Sequence, residues 1–137
     1  MNKEDYVSLE VAKLLKEKGF NEPCNGWYGI NGAIFNDAWR ENHNNTFPKN
    51  SRLSRPTLYE AAKWLRNEHG IYVTIISSPI TWLYKENDGA YITHFPVITY
   101  RDAEGKIKMS YHQGMNDSEY DKAFNCAILE ALKLILL

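Results

Sequence analysis

Apolar residues recur every three to four positions in stretches of the chain, which is the spacing of an amphipathic helix. The first stretch, Glu4–Lys18, has Ser8 as a candidate N-cap and Gly19 as a left-handed stop. The second begins after Pro56-Thr57, with proline in the first turn, and ends at Gly70. The pattern therefore predicts two helices that each bury one face.

A third helix is predicted near the C-terminus. Asn116 and Glu119 have the spacing of a capping box, and a wide apolar face follows them. We expect this face to be buried against a sheet, or partly against a second subunit, in which case the helix would support a homo-oligomer.

Short β-branched and aromatic runs bounded by turn residues predict the strands. The runs are Ile71–Ile76, Ile80–Tyr84, Ala90–Tyr100 and Lys106–His112. Ser77-Ser78-Pro79 is expected to break the first run, and Asn87-Asp88-Gly89 to turn after the second. Pro96 favours an edge position or a bulge.

Two turns set the expected strand pairing. Asn31-Gly32 predicts a two-residue hairpin early in the chain, followed by an irregular polar stretch up to Arg55. If Asp102 pairs with Lys106 across Gly105, odd positions of the last hairpin face odd positions. The sequence thus predicts a single α+β domain over residues 1–137, with a mostly antiparallel sheet (meander plus hairpin) packed by three helices.

Charge and composition exclude several classes of function. The 137 residues carry 16 Lys and Arg against 17 Asp and Glu, a net charge of −1. We therefore do not expect double-stranded nucleic acid as a partner, because neutralising phosphates requires excess positive charge. No run approaches the roughly 20 apolar residues of a membrane span, and the N-terminus has no signal-peptide pattern, so we expect no membrane association and a cytoplasmic location.

No catalytic motif is present: the chain has no nucleophile elbow, phosphate-binding loop or dinucleotide fingerprint. Cys24 and Cys126 are expected to be two reduced thiols rather than one long-range bridge. His94 and His112 could lie close together on one sheet face, but we interpret them as exposed strand residues because no third metal ligand is evident. We predict a protein that is not an enzyme and needs no cofactor.

The most suggestive chemistry lies in the segment from Lys49 to Thr57, just before a helix. A helix N-terminus attracts anions, and Arg52 and Arg55 could hold a phosphate with help from Ser54 or Thr57. The alternative is a solvated loop followed by a helix cap.

Aromatic residues could complete such a site. Trp39 and Tyr28 are the candidates to stack on a base, whereas Trp64 lies beside an apolar stripe and is expected in the core.

Three segments, Val7–Phe20, Pro56–Arg66 and Ala127–Ile135, resemble small uncharacterised proteins encoded by phages and prophages of gut Bacteroidetes-type bacteria. The resemblance implies a small accessory protein acting in the bacterial host cytoplasm. It implies no particular activity and no site residues.

These observations suggest a non-enzymatic protein that binds a small anionic ligand such as a nucleotide, with sequestration of a host defence signal as one use. The alternative is a protein–protein adaptor or an inhibitor of a host enzyme. An exposed sheet face with Ile92, Ile98 and Tyr100 would favour such a protein partner.

Overall fold

The computed structural model describes residues 5–46, 48, 50–79, 92–112 and 119–136. They form three helices and two three-stranded antiparallel sheets, which confirms the predicted α+β class. The helices are α1 (Leu9–Glu17), α2 (Leu58–His69) and α3 (Tyr120–Leu132). The strands are β1 (Cys24–Gly29), β2 (Ile34–Glu41), β3 (Arg52–Arg55), β4 (Tyr72–Pro79), β5 (Ile92–Arg101) and β6 (Ile107–Tyr111). No helix within the described ranges is long and apolar enough to cross a membrane.

The first two helices begin and end where the sequence predicts. The Ser8 side chain accepts the Val11 N–H at the start of α1. Thr57 caps α2, and Gly70 ends it in the left-handed conformation with φ of 62°. The predicted cap residue Asn116 lies outside the described residues, and α3 begins after Glu119.

The first sheet has the order β2-β1-β3. Its β1–β2 hairpin is closed by the Gly29 N–H donating to the Ala33 carbonyl at 2.8 Å, so the loop contains three residues rather than two. Gly32 takes φ of 83° at the last loop position, where a left-handed residue completes such a turn.

The polar stretch after the hairpin is more ordered than the sequence suggested. β2 continues to Glu41, the 3₁₀ helix His43–Asn45 follows, and residues 52–55 form β3. The prediction of a basic loop leading to Arg55 is therefore wrong, because β1 offers this segment a backbone partner that local sequence does not reveal.

The second sheet has the order β4-β5-β6. Val97 pairs with Tyr111 and Arg101 with Ile107, which confirms the predicted odd-to-odd register. β4 extends through Ser77 and Ser78, so these residues do not break the strand. Pro96 lies in the central strand, not at an edge. It is tolerated because the paired register with β6 ends at Val97, next to it.

The predicted strand Ile80–Tyr84 and the turn at Asn87–Gly89 lie outside the described residues.

The two sheets and three helices enclose one hydrophobic core. From α3 it includes Ile128, Ala131 and Leu132, so part of the apolar face of this helix is buried within the chain. Ile98 is only 1% exposed and belongs to the same core, so Ile92, Ile98 and Tyr100 do not form the exposed sheet face that would have favoured a protein partner. Trp64 is buried, as predicted.

The opposite face of the second sheet carries exposed apolar side chains. Strand alternation and the observed register place them together. They are Tyr72, Ile76, Ile107, Met109 and Tyr111.

Candidate functional site

The two arginines of the predicted anion site lie on opposite faces of β3. Arg52 pairs with Gly29 of β1, and Arg55 pairs with Gly26. Residues three apart on a strand point in opposite directions, since side chains alternate with a period of two. Arg52 and Arg55 therefore do not converge on one ligand, and each has its own surroundings.

Arg52 contacts an aromatic ring and two carboxylates. Its guanidinium lies 4.0 Å from the Trp27 ring centroid, and Nη1 is 2.8 Å from Oε1 of Glu41 and 3.7 Å from Oδ2 of Asp37. Trp27 also stacks on Phe35, with the ring centroids 4.1 Å apart. The positive charge of Arg52 is thus compensated within the protein.

His43 completes this cluster from the 3₁₀ helix. Its Nε2 is 3.1 Å from the Cys24 carbonyl, which only accepts, so Nε2 carries the proton. Nδ1 then presents a lone pair, 3.3 Å from Oε1 of Glu41 and 3.4 Å from Nη1 of Arg52. Burial lowers the pKa of His43 and outweighs the carboxylates of Glu41 and Asp37, which raise it. His43 is therefore neutral at neutral pH.

Asp37, Glu41 and His43 also have the ligand types of a divalent metal site, with their ligating atoms within 4.8 Å of one another. The Arg52 guanidinium contacts all three side chains and supplies the cation of the cluster. The four side chains thus form an ion-pair network with one guanidinium and two carboxylates.

Arg55 is in a different situation. The residue is only 3% exposed, and its guanidinium carbon lies 4.1 Å from the Tyr6 ring centroid and 5.4 Å from that of Tyr28. Among the described residues, no carboxylate lies within ion-pairing distance of Arg55 and no hydrogen bond to its guanidinium is formed; Nε is buried without a partner. A buried positive charge is therefore held by two aromatic rings alone within the described part of the chain.

Two cavities have Tyr6 in their walls. One, of about 390 Å³, is bounded by both tyrosines that flank Arg55 and also by Lys122 and Asp121. The other, of about 590 Å³, lies between Tyr6 and the outer face of α2. Both volumes fall in the range of small-molecule sites. The aromatic pair around Arg55 thus forms part of the wall of a ligand-sized cavity.

The start of α2 is capped by side chains of the protein itself. The Thr57 hydroxyl accepts the Glu60 N–H at 3.1 Å, and the Glu60 carboxylate accepts the Thr57 N–H at 2.9 Å. Burial would raise the pKa of Glu60, but this backbone N–H, the Thr57 hydroxyl and Arg40 outweigh it and lower the pKa. A carboxylate of the protein already occupies the position that the sequence assigned to an external anion.

The other predicted contact residues are spread over the first sheet. Ser54 is buried and bonded twice to Asn44, whose N–H donates to the Ser54 hydroxyl at 3.0 Å. Trp39 is 78% exposed on the edge strand β2. Tyr28 is buried, and its hydroxyl donates to the Val7 carbonyl at 2.7 Å. Only Tyr28 lies beside Arg55.

The two cysteines and the two histidines of the second sheet lie outside the candidate site. Cys24 and Cys126 are free, as predicted, and burial raises the pKa of the Cys24 thiol to about 11. His94 is buried rather than exposed, with Nδ1 2.6 Å from the Ser77 hydroxyl. His112 lies 2.9 Å from the Ser110 hydroxyl through Nε2.

Sequence reasoning missed Tyr6 and the Glu41–His43 pair. Tyr6 is far from Arg55 in the chain, and an isolated bridge between Tyr6 and Thr57 brings them together.

Comparison with known protein families, with curated proteins and with solved structures finds no match to the chain.

Proposed function

We propose that the protein is a non-enzymatic binding protein for a small anionic ligand, and that Arg55 is the residue that holds the anion. One observation supports this: the Arg55 guanidinium is buried, while no carboxylate of the described chain pairs with it. Burying a charge without a counter-ion costs several kcal/mol, and an anionic ligand would offset this cost by supplying a counter-charge that the described residues do not provide.

The surroundings favour a ligand with a phosphate or carboxylate and a planar group. The cavity of about 390 Å³ has in its wall Tyr6 and Tyr28, the two rings that flank Arg55, together with Lys122. The Lys122 ammonium is 3.6 Å from a carboxylate oxygen of Glu119, so Arg55, which contacts both rings, is the cation without a carboxylate partner among the described residues. Nucleotides combine the two required groups, and aromatic side chains bind bases by stacking.

Arg52 is not part of the proposed site, because Glu41 and Asp37 already neutralise it. This gives a matched control: the two arginines lie on one short strand and differ in their faces and partners. The proposal thus differs from the sequence hypothesis, in which both arginines bind the same phosphate.

The test is isothermal titration calorimetry of the full chain with inorganic phosphate and with linear and cyclic nucleotides. We expect Arg55→Gln to weaken binding at least about tenfold, equivalent to about 1.4 kcal/mol, and Arg52→Gln to change it less than about threefold. Equal losses in both variants would support the joint site instead. No binding of any of these ligands by the wild-type chain would refute the proposal.

The biological use we propose is sequestration of a small signalling molecule inside a bacterial host. Its support is the resemblance of three sequence segments to phage-encoded proteins. Such a protein needs tight binding and no turnover, which agrees with a site built from one cation and two rings.

A second candidate function, adaptor binding to a host protein, is favoured by the exposed apolar face of the second sheet. Tyr72 and Ile76 lie on this face and are exposed. If the face binds a host protein, a Tyr72→Asp/Ile76→Asp variant should lose the partner captured by the wild-type chain while keeping nucleotide affinity. Capture of the same partner by both proteins would rule the face out.

A further inference from the structure

The edge strand β6 has an unused side. The Asp102 N–H donates to the Lys106 carbonyl at 2.9 Å, and the His112 N–H to the Pro96 carbonyl at 3.0 Å. The even-numbered residues of β6 therefore face β5 with their backbone groups, and the odd-numbered residues face away. Ile107, Met109 and Tyr111 have no partner strand on that side within the described part of the chain.

These three residues also carry the exposed apolar side chains of the strand. Ile107 is 63%, Met109 53% and Tyr111 65% exposed. A row of outward N–H and C=O groups that no described strand pairs, beside exposed apolar side chains, is the usual template for pairing with another strand.

We propose that β6 pairs antiparallel with β6 of a second copy of this chain, with the two-fold axis at Met109. In that register Met109 stands opposite Met109, and Ile107 opposite Tyr111 of the other copy. All three outward N–H groups and all three outward C=O groups of each strand are then satisfied, because the odd residues form the hydrogen-bonded pairs. The β4-β5-β6 sheets of the two copies then form one six-stranded sheet.

The charges of the strand fit a second copy. In this register Lys108 of one copy stands beside Ser110 of the other, so no two lysines are opposed. The Lys108 ammonium lies 3.9 Å from a carboxylate oxygen of Asp102 within its own chain, on the sheet face opposite Met109. The apolar pairs Ile107–Tyr111 form on the exposed face instead, where they extend the apolar surface across the axis.

The interface is short, so the dimer should be weak and concentration-dependent. A five-residue strand contributes less than the roughly 1,200 Å² that stable interfaces bury. The inference is independent of the anion site, which lies on the first sheet.

The test begins with sedimentation velocity of the full chain over a wide concentration range. We expect Met109→Pro to weaken dimerisation at least tenfold, because proline removes an outward N–H while the bonds between β5 and β6 remain. Met109→Ala, which keeps the N–H, is the control for loss of the side chain alone and should dimerise more strongly than Met109→Pro. Monomers at all concentrations, or equal dimerisation of the wild type and Met109→Pro, would overturn the proposal.

Disulfide formation tests the register. Opposed Cα atoms in a hydrogen-bonded pair are about 5.5 Å apart, within disulfide reach, so Met109→Cys in a Cys126→Ser background should form a covalent dimer under mild oxidation. Lys108→Cys is the matched control. The Cα atoms of residue 108 in the two copies would be about 8 Å apart, and the side chains at this position point to the other face of the sheet. Equal cross-linking of the two variants would exclude this register.

Discussion

Replacing Arg55 by methionine tests whether its charge is uncompensated in the free protein. The variant keeps an apolar stem of similar length but loses two cation–π contacts, at 4.1 Å to Tyr6 and 5.4 Å to Tyr28. Together these contacts are worth about 2 kcal/mol. The variant also no longer has to desolvate a buried ion, which costs several kcal/mol when no counter-charge is present.

We therefore expect the free energy of unfolding of Arg55→Met, without ligand, to equal that of the wild type or exceed it by about 1–2 kcal/mol. The assay is urea unfolding followed by tryptophan fluorescence. Arg52→Met is the matched control and should lose about 1–2 kcal/mol, because it leaves Glu41 and Asp37 without their cation and uncovers Trp27.

A loss of about 3 kcal/mol or more in Arg55→Met would contradict an uncompensated charge, since that is the cost of breaking a buried ion pair that already exists in the free protein.

Three further predictions concern the framework of the site. Burial lowers the pKa of His43 in the folded protein below 6.5, so between the folded and unfolded pKa values the unfolded chain binds more protons. The free energy of unfolding should therefore fall as the pH drops below about 6.5. Urea unfolding at stepped pH should show a less steep fall for His43→Gln than for the wild type. Gly26→Ala would place its Cβ 2.6 Å from the Arg55 carbonyl oxygen and should lower stability by about 1–3 kcal/mol; an unchanged unfolding midpoint would contradict the β1–β3 pairing. Thr57→Ala should lower stability by about 1 kcal/mol and leave nucleotide affinity within about twofold, because Thr57 caps α2; a large loss of affinity would return it to the site.

Features that depend on neighbouring residues were predictable from the sequence. The cap at Ser8, the left-handed stop at Gly70 and the register across Gly105 each follow from a few adjacent side chains and their backbone preferences. The hairpin at Gly32 was also predictable, although its loop has one more residue than expected.

The site was less predictable because it depends on contacts between distant segments. Arg52 and Arg55 are close in sequence, and only the pairing of β3 with β1 shows that they point to opposite faces. The same pairing places Arg55 beside Tyr28, and the bridge from Tyr6 to Thr57 adds the second ring. Local sequence identified the arginines but not their partners.

The central claim is that an external anion binds Arg55 and not Arg52. The most direct measurement is NMR of the arginine Nε–H groups during titration with a nucleotide and with inorganic phosphate. We predict that the Arg55 resonance shifts and saturates, because its Nε has no partner in the described chain, while the Arg52 resonance stays in place. An unchanged Arg55 resonance at saturating ligand, or a shift at Arg52 alone, would contradict the proposed site.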